Sequence, residues 1–184
     1  MIDTGMIHGR FQPFHNGHFD YLKNAIFFVK HLIVGITNPD PSLTQESDSD
    51  SHRHLKTSNP FSYYLRMLMI KHSIQLDKDL KDRFLDITIT PMPINKPELF
   101  EYYFPTKNNV VQLIRLLDPW DHEKKLLFEK YNFNVVVLEG KRITSGTEIR
   151  DSIINDDDTW KAKVPIGTLK VLEQNFQNHG PLIN

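Results

Sequence analysis

Short apolar runs alternate along this chain with longer segments of helical periodicity, and that alternation leaves few solutions besides an α/β fold built on a parallel sheet. Residues 5–8, 32–37, 86–90, 110–117 and 134–138 read as strands, so a sheet of about five strands is expected. Between the first two, Phe19, Leu22, Ala25, Ile26 and Val29 fall on one face of a helix. Asn59-Pro60 has the form of an N-cap followed by proline at the first helical position. Phe61, Leu65, Leu68 and His72 trace the inner face of the helix it would open. Asp118-Pro119 repeats the signal and starts a helix towards Tyr131, and the tail from Ser145 reads as two helices separated by Val164-Pro165. With 184 residues the chain is expected to form a single domain over 1–184. Its irregular stretch is a polar loop at about 38–58, and a loop that long inside a compact domain is either functional or disordered.

Composition narrows the function more than the fold. The 22 Lys+Arg and 23 Asp+Glu leave a formal net charge of −1, which argues against a protein that grips a nucleic-acid backbone by charge. The absence of cysteine excludes disulfide scaffolds, thiolate zinc sites and cysteine nucleophiles. Residues 1–5 lack a basic n-region and an apolar h-region, so no signal peptide is expected. No apolar stretch approaches the roughly 18–20 residues of a membrane span, because Lys30 and His31 interrupt the longest candidates. The expectation is a cytoplasmic protein with neither membrane nor nucleic acid as partner.

The segment that carries chemistry is Gly9-Arg10-Phe11-Gln12-Pro13-Phe14-His15-Asn16-Gly17-His18, placed between the first strand and the first helix. Histidines three residues apart at a helix N-terminus can face the same way. Unpaired amides and the helix dipole there suit an anion, and Gly17 lets a phosphate approach the backbone. Imidazole N–H groups add donors, and Arg10 offers a bidentate fork. A metal reading of the two histidines is weaker, since helical metal sites usually place them at i and i+4 with a carboxylate. A second anion site is readable in Ser145-Gly146-Thr147-Glu148-Ile149-Arg150. Ser145 and Glu148 have capping-box spacing, and Arg150 follows one turn later. Plain helix capping would need no Arg150.

The first string resembles the signature of the nucleotidyltransferase superfamily with the HxGH motif, with its nearest likeness among the archaeal-type nicotinamide mononucleotide adenylyltransferases. Residues 143–150 are similar to that family's later Ser-x-Thr-Glu-Ile-Arg element. Asn59-Pro60-Phe61 with Arg66 is similar to its Asn-Pro-Phe segment, and Trp160 with Val164-Pro165 to the entry of its C-terminal helix. The resemblance implies a Rossmann-like parallel sheet with helices on both faces. It also implies transfer of a nucleotidyl group from an NTP, ATP first, to a phosphorylated acceptor, nicotinamide mononucleotide first, with release of pyrophosphate. By the same resemblance His15, His18 and Arg150 would be catalytic. Gly9, Arg10, Phe11, Gln12, Gly17, Arg66, Ser145, Gly146 and Thr147 would bind the NTP. Mg²⁺ would be held mainly by the NTP phosphates, with no metal site of the protein's own, and homo-oligomers are frequent among such enzymes.

The chain also departs from the family. Where a Thr-Gly-Asn turn commonly follows the fourth strand, it reads Leu116-Leu117-Asp118-Pro119-Trp120-Asp121. Where a tryptophan stacking on nicotinamide is expected, the nearest aromatic is Phe100. Phe100, Tyr103, Trp120 and Arg53 are the acceptor-binding candidates, Arg53 within a basic cluster with His52, His54 and Lys56 in the long loop. These departures keep open a cytidylyltransferase, or another adenylyltransferase, acting on a different small phosphate or phosphonate. A non-catalytic nucleotide sensor is a third reading.

Overall fold

A computed structural model describes residues 1–43, 55–105 and 109–180. Five parallel strands form one sheet: β1 (Ile2–Gly9), β2 (Val29–Thr37), β3 (Ile87–Met92), β4 (Val111–Ile114) and β5 (Val135–Val137), in the order β3-β2-β1-β4-β5. Five α-helices accompany them: α1 (Asn16–Ile26), α2 (Tyr63–Gln75), α3 (Pro119–Lys130), α4 (Gly146–Ile154) and α5 (Ile166–His179). The expected Rossmann-like architecture is therefore present. The chain winds outward from β1 through β2 to β3, then crosses back to β4 and β5. The strand order reverses between β1 and β4, where α/β sheets place their ligands at the carboxyl ends of the strands.

Strand alternation divides the core in two. Ile7, Leu32, Val34 and Ile36 face a large cluster with Leu22, Ile70, Ile149 and Leu172, contributed by α1, α2, α4 and α5. Met6 and Ile33 point the other way, into a smaller cluster with Phe100, Phe104, Phe128 and Phe133 beneath α3. Helices cover both faces, and each fully buried aliphatic or aromatic side chain contributes about 1.5–3 kcal/mol.

Several local expectations shift. The first helix ends at Ile26, and Val29 opens β2 instead. Ser62, not Asn59, caps α2, its Oγ accepting the Leu65 N–H at 3.2 Å. Asn59 instead donates from its side chain to the Leu55 carbonyl. The face α2 buries is Arg66, Met69, Ile70, Ser73 and Ile74, while Leu65 and Leu68 pack at its edge. β4 stops at Ile114, because Asp118 and Asp121 then form a reciprocal capping box that opens α3. Ser145 does cap α4, although the Glu148 carboxylate turns to Thr144 Oγ1 and Lys163 Nζ instead of completing the box.

Arg66 shows why a charged residue occupies the inner face of α2. Its guanidinium donates to the carbonyls of Arg10 and Thr37 at 2.8 Å each, Asn38 at 2.9 Å and Ser62 at 3.3 Å. It ties α2 to the carboxyl ends of β1 and β2. Burial pushes its pKa down to about 10, which leaves it charged at neutral pH. We expect Arg66→Ala to lower the unfolding free energy by about 3 kcal/mol, since it strands buried carbonyls, with Arg66→Lys intermediate. Urea denaturation followed by circular dichroism measures both, and unchanged midpoints would contradict the assignment.

Candidate active site

The segment after β1 turns sharply at Phe11, whose φ is 54°. It is then pinned on two sides. The Gln12 side chain donates to the Phe61 carbonyl at 3.0 Å and accepts the Phe61 N–H at 2.9 Å, while Arg150 donates to the Gln12 carbonyl at 2.7 Å. So placed, the chain enters α1 with His15 as its N-cap. His15 Nδ1 accepts the His18 N–H at 3.3 Å, His18 Nδ1 accepts the His15 N–H at 3.4 Å, and the rings stack with centroids 3.6 Å apart. Because both Nδ1 atoms accept, each neutral ring carries its proton on Nε2. Two imidazoles thus do the work of a Ser/Glu capping box and keep a donor each.

A cavity of about 290 Å³ opens here, at the carboxyl ends of β1 and β4. Gly9, Arg10, Phe11, Gln12, His15, Gly17 and His18 line it from the first motif, and Ser145, Gly146, Thr147 and Arg150 from the second. Both motifs therefore meet across one space, and the N-termini of α1 and α4 both reach it. Gly146 is required by a close approach: a Cβ there would lie 2.6 Å from the Gln12 carbonyl oxygen that Arg150 bonds.

The other expected site residues divide. Trp120 lines the cavity. Arg66 does not, and four of its five N–H groups donate to backbone carbonyls instead. Phe100 is a core residue, 2% exposed and packed against Phe104. Tyr103 also lies off the cavity, with its carbonyl accepting the Thr90 hydroxyl. Arg53, with His52 and His54, lies outside the described residues. Residues that sequence reasoning did not propose complete the lining, among them His8, Tyr21, Arg115, Lys124, Lys141 and Arg142. The signal was there in part. His8 and Arg115 each interrupt or end an apolar strand run, and Lys141-Arg142 directly precedes the second motif.

Cations dominate the wall: Arg10, Arg115, Lys124, Lys141, Arg142 and Arg150, against the carboxylates Asp118 and Asp121. Burial would raise Asp121, but its 2.6 Å pair with Lys124 and the N–H groups of Leu117 and Asp118 hold its pKa below the usual carboxylate range. Asp118 caps α3 and meets Arg142 at 3.5 Å. Both carboxylates are thus committed, and no group of three or more His, Cys, Asp or Glu among the described residues could hold a metal ion. Burial, then Arg142, pushes His15 down to about 4. Burial, then His15 and the cations Lys124 and Arg10, pushes His18 well below its ordinary value. The pair presents neutral donors.

These shifts carry a sign. A histidine held neutral in the folded protein binds a proton in the unfolded one first, so its stabilisation is complete above about pH 6.5 and fades as pH falls towards 4. Unfolding free energies from urea titrations between about pH 7.5 and pH 4.5 should fall with a limiting slope of about 1.4 kcal/mol per pH unit for each such histidine. A flat profile would contradict the buried neutral pair.

The comparisons with known proteins agree with this geometry. A family profile described as cytidylyltransferase-like matches residues 6–152. Phosphonoformate cytidylyltransferase of Streptomyces viridochromogenes is 33% identical over 93% of this chain and 91% of its own. Nicotinamide-nucleotide adenylyltransferases are 30% identical in Methanococcus aeolicus, over 92% of this chain and 87% of theirs, and 27% in Archaeoglobus fulgidus, over 90% and 88%. Among solved structures, a bifunctional NMN adenylyltransferase/ADP ribose pyrophosphatase from Francisella tularensis, complexed with AMP and a manganese ion, superposes with a TM-score of 0.67 at 19% identity. That match covers 98% of this chain and about half, 51%, of the other. With the HxGH segment and the Ser145–Arg150 segment closing on one cation-lined cavity, the chain belongs to the cytidylyltransferase-like family of nucleotidyltransferases.

Proposed function

We propose that the protein transfers a nucleotidyl group from an NTP, ATP first, to a small phosphorylated acceptor, nicotinamide mononucleotide first, and releases pyrophosphate. The observation that carries this is the pair of α-helix N-termini, with their imidazole and guanidinium donors, converging on one cavity at the sheet's switch point. The named adenylyltransferase relatives support the ATP and nicotinamide mononucleotide assignments.

In this reading an oxygen of the acceptor phosphate attacks the α-phosphorus in line. The new O–P bond forms as the bond from the α-phosphorus to the β-bridging oxygen breaks, and pyrophosphate carries the electron pair away. The nucleophile is already anionic, so no general base is needed. The Nε2–H groups of His15 and His18 would stabilise charge on the reacting phosphate, His18 foremost. Arg10, Arg142 and Arg150 neutralise the polyphosphate. A divalent ion, Mg²⁺ in this reading, supplies further neutralisation when bound. It would be held by phosphate oxygens, since Asp118 and Asp121 are already bonded.

A second reading, cytidylyl transfer to a small phosphonate, is favoured by specific observations. The relative named for phosphonoformate spans nearly the whole chain. Phe100 sits in the core, so it offers no face for a nicotinamide ring. The Leu117–Asp121 stretch that replaces the family's turn lines the cavity with Trp120 and a bonded carboxylate pair.

Pyrophosphate release with Mg²⁺, crossing ATP and CTP against nicotinamide mononucleotide, small phosphates and phosphonates, tests both. The first reading expects turnover with ATP and nicotinamide mononucleotide, reduced about 10²–10³-fold in His18→Ala. Release only with CTP and a phosphonate selects the second. No release from any pair would overturn nucleotidyl transfer.

A further inference from the structure

The cavity has a second wall that the phosphate chemistry leaves unused. Ile7 packs among the α1 side of the core and Met6 beneath α3, so alternation puts His8 on the α3 side, where its ring stacks on Phe128 with centroids 4.8 Å apart. His8 is 3% exposed, lines the cavity, and has no hydrogen-bond partner on either ring nitrogen. Arg115 follows β4, is 4% exposed and lines the same cavity. Its Nη2 bonds Asp20 at 2.8 Å and its guanidinium lies over Tyr21, but its Nε is unpartnered. Gly140 packs so closely that a Cβ there would lie 2.4 Å from that Nε, so a side chain at this position would displace the guanidinium.

Buried polar atoms without partners are costly, and those facing a cavity are satisfied by what enters it. We propose that His8 and Arg115 form a specificity subsite that binds the non-reacting end of the acceptor through a compact oxyanion. The inference rests on the second reading, transfer to a small phosphonate, and adds the acceptor's second anionic group to it, since the non-reacting end of nicotinamide mononucleotide is a cationic ring. The donor set argues for an oxyanion. Arg115 Nε–H and one His8 N–H have no partner within the protein although both residues line the cavity, and the Lys124 ammonium is close enough to help burial hold His8 neutral. A hydroxyl or water can fill the remaining lone pair. The location argues for the acceptor: the triphosphate has its donors on the α1 and α4 side, across β1 from His8.

The test uses the full-length enzyme, CTP and ATP, and two probes, phosphonoformate and methylphosphonate, which differ in the second anionic group. Wild type should use or bind phosphonoformate at least about tenfold better than methylphosphonate. His8→Leu should raise the KM of the anionic acceptor about tenfold while the NTP KM stays within about twofold, and His8→Gln should recover part of the loss. Gly140→Ala, by displacing Arg115, should act in the same direction. Equal use of the two probes by wild type, an unchanged acceptor KM in His8→Leu, or a parallel rise in NTP KM would overturn the subsite. If His8→Leu fails to fold, the probe comparison in wild type and the His8→Gln variant decide. Where no pair releases pyrophosphate, the transfer reading fails by itself, and calorimetric titration of phosphonoformate into wild type and His8→Gln still reports on the subsite.

Discussion

Everything at the carboxyl edge of the sheet depends on how the short segment between β1 and α1 is held. Its backbone carbonyls are bonded by buried guanidinium groups: Arg66 takes the carbonyl of Arg10, and Arg150 that of Gln12. The Gln12 amide meets the backbone of Phe61 in both directions. Hydrogen bonds with a charged partner are worth about 1.5–3 kcal/mol each, enough to offset much of the cost of burying the arginines. The consequence is positional. Three helices, α1, α2 and α4, are tied to one turn of chain, and the two whose N-termini reach the cavity cannot drift apart without breaking buried bonds.

The electrostatic design follows from that rigidity. The cavity concentrates cations, so a further positive charge on the histidines is disfavoured both by burial and by their neighbours. They serve as neutral donors instead, with tautomers set by the capping bonds they accept. In the proposed reaction such neutral, fixed donors would need no reorganisation when charge develops on a phosphate, and Arg10, Arg142 and Arg150 would supply the net charge that balances a polyphosphate. One pair of residues would therefore join the local stability of α1 to the proposed chemistry of the site.

What the sequence disclosed, and what it hid, divides along the range of the interactions involved. The strand-and-helix alternation and the two motifs depend on neighbours a few residues apart, so the elements emerge with only their ends and one cap shifted and both motifs line one cavity. Arg66 was misplaced because its partners, Arg10, Thr37 and Asn38, lie 28 to 56 residues away, and only the fold reveals that its guanidinium is turned to these backbone carbonyls. Phe100 was misplaced for a related reason: an aromatic side chain after a strand suits a core as well as a ring-stacking site, and Phe104, Phe128 and Phe133 settle which. His8 went unnoticed within an apolar run, where period-two alternation alone cannot say that the inward position is also the floor of a cavity.

Nucleotidyl transfer requires that the bond broken join the α- and β-phosphates of an NTP. Positional radiolabelling measures this directly. Label on the α-phosphorus of ATP or CTP should appear in the product joined to the acceptor, and label on the γ-phosphorus should leave as pyrophosphate. Transfer of the γ-label to the acceptor, or its release as inorganic phosphate in the absence of any pyrophosphatase, would contradict it.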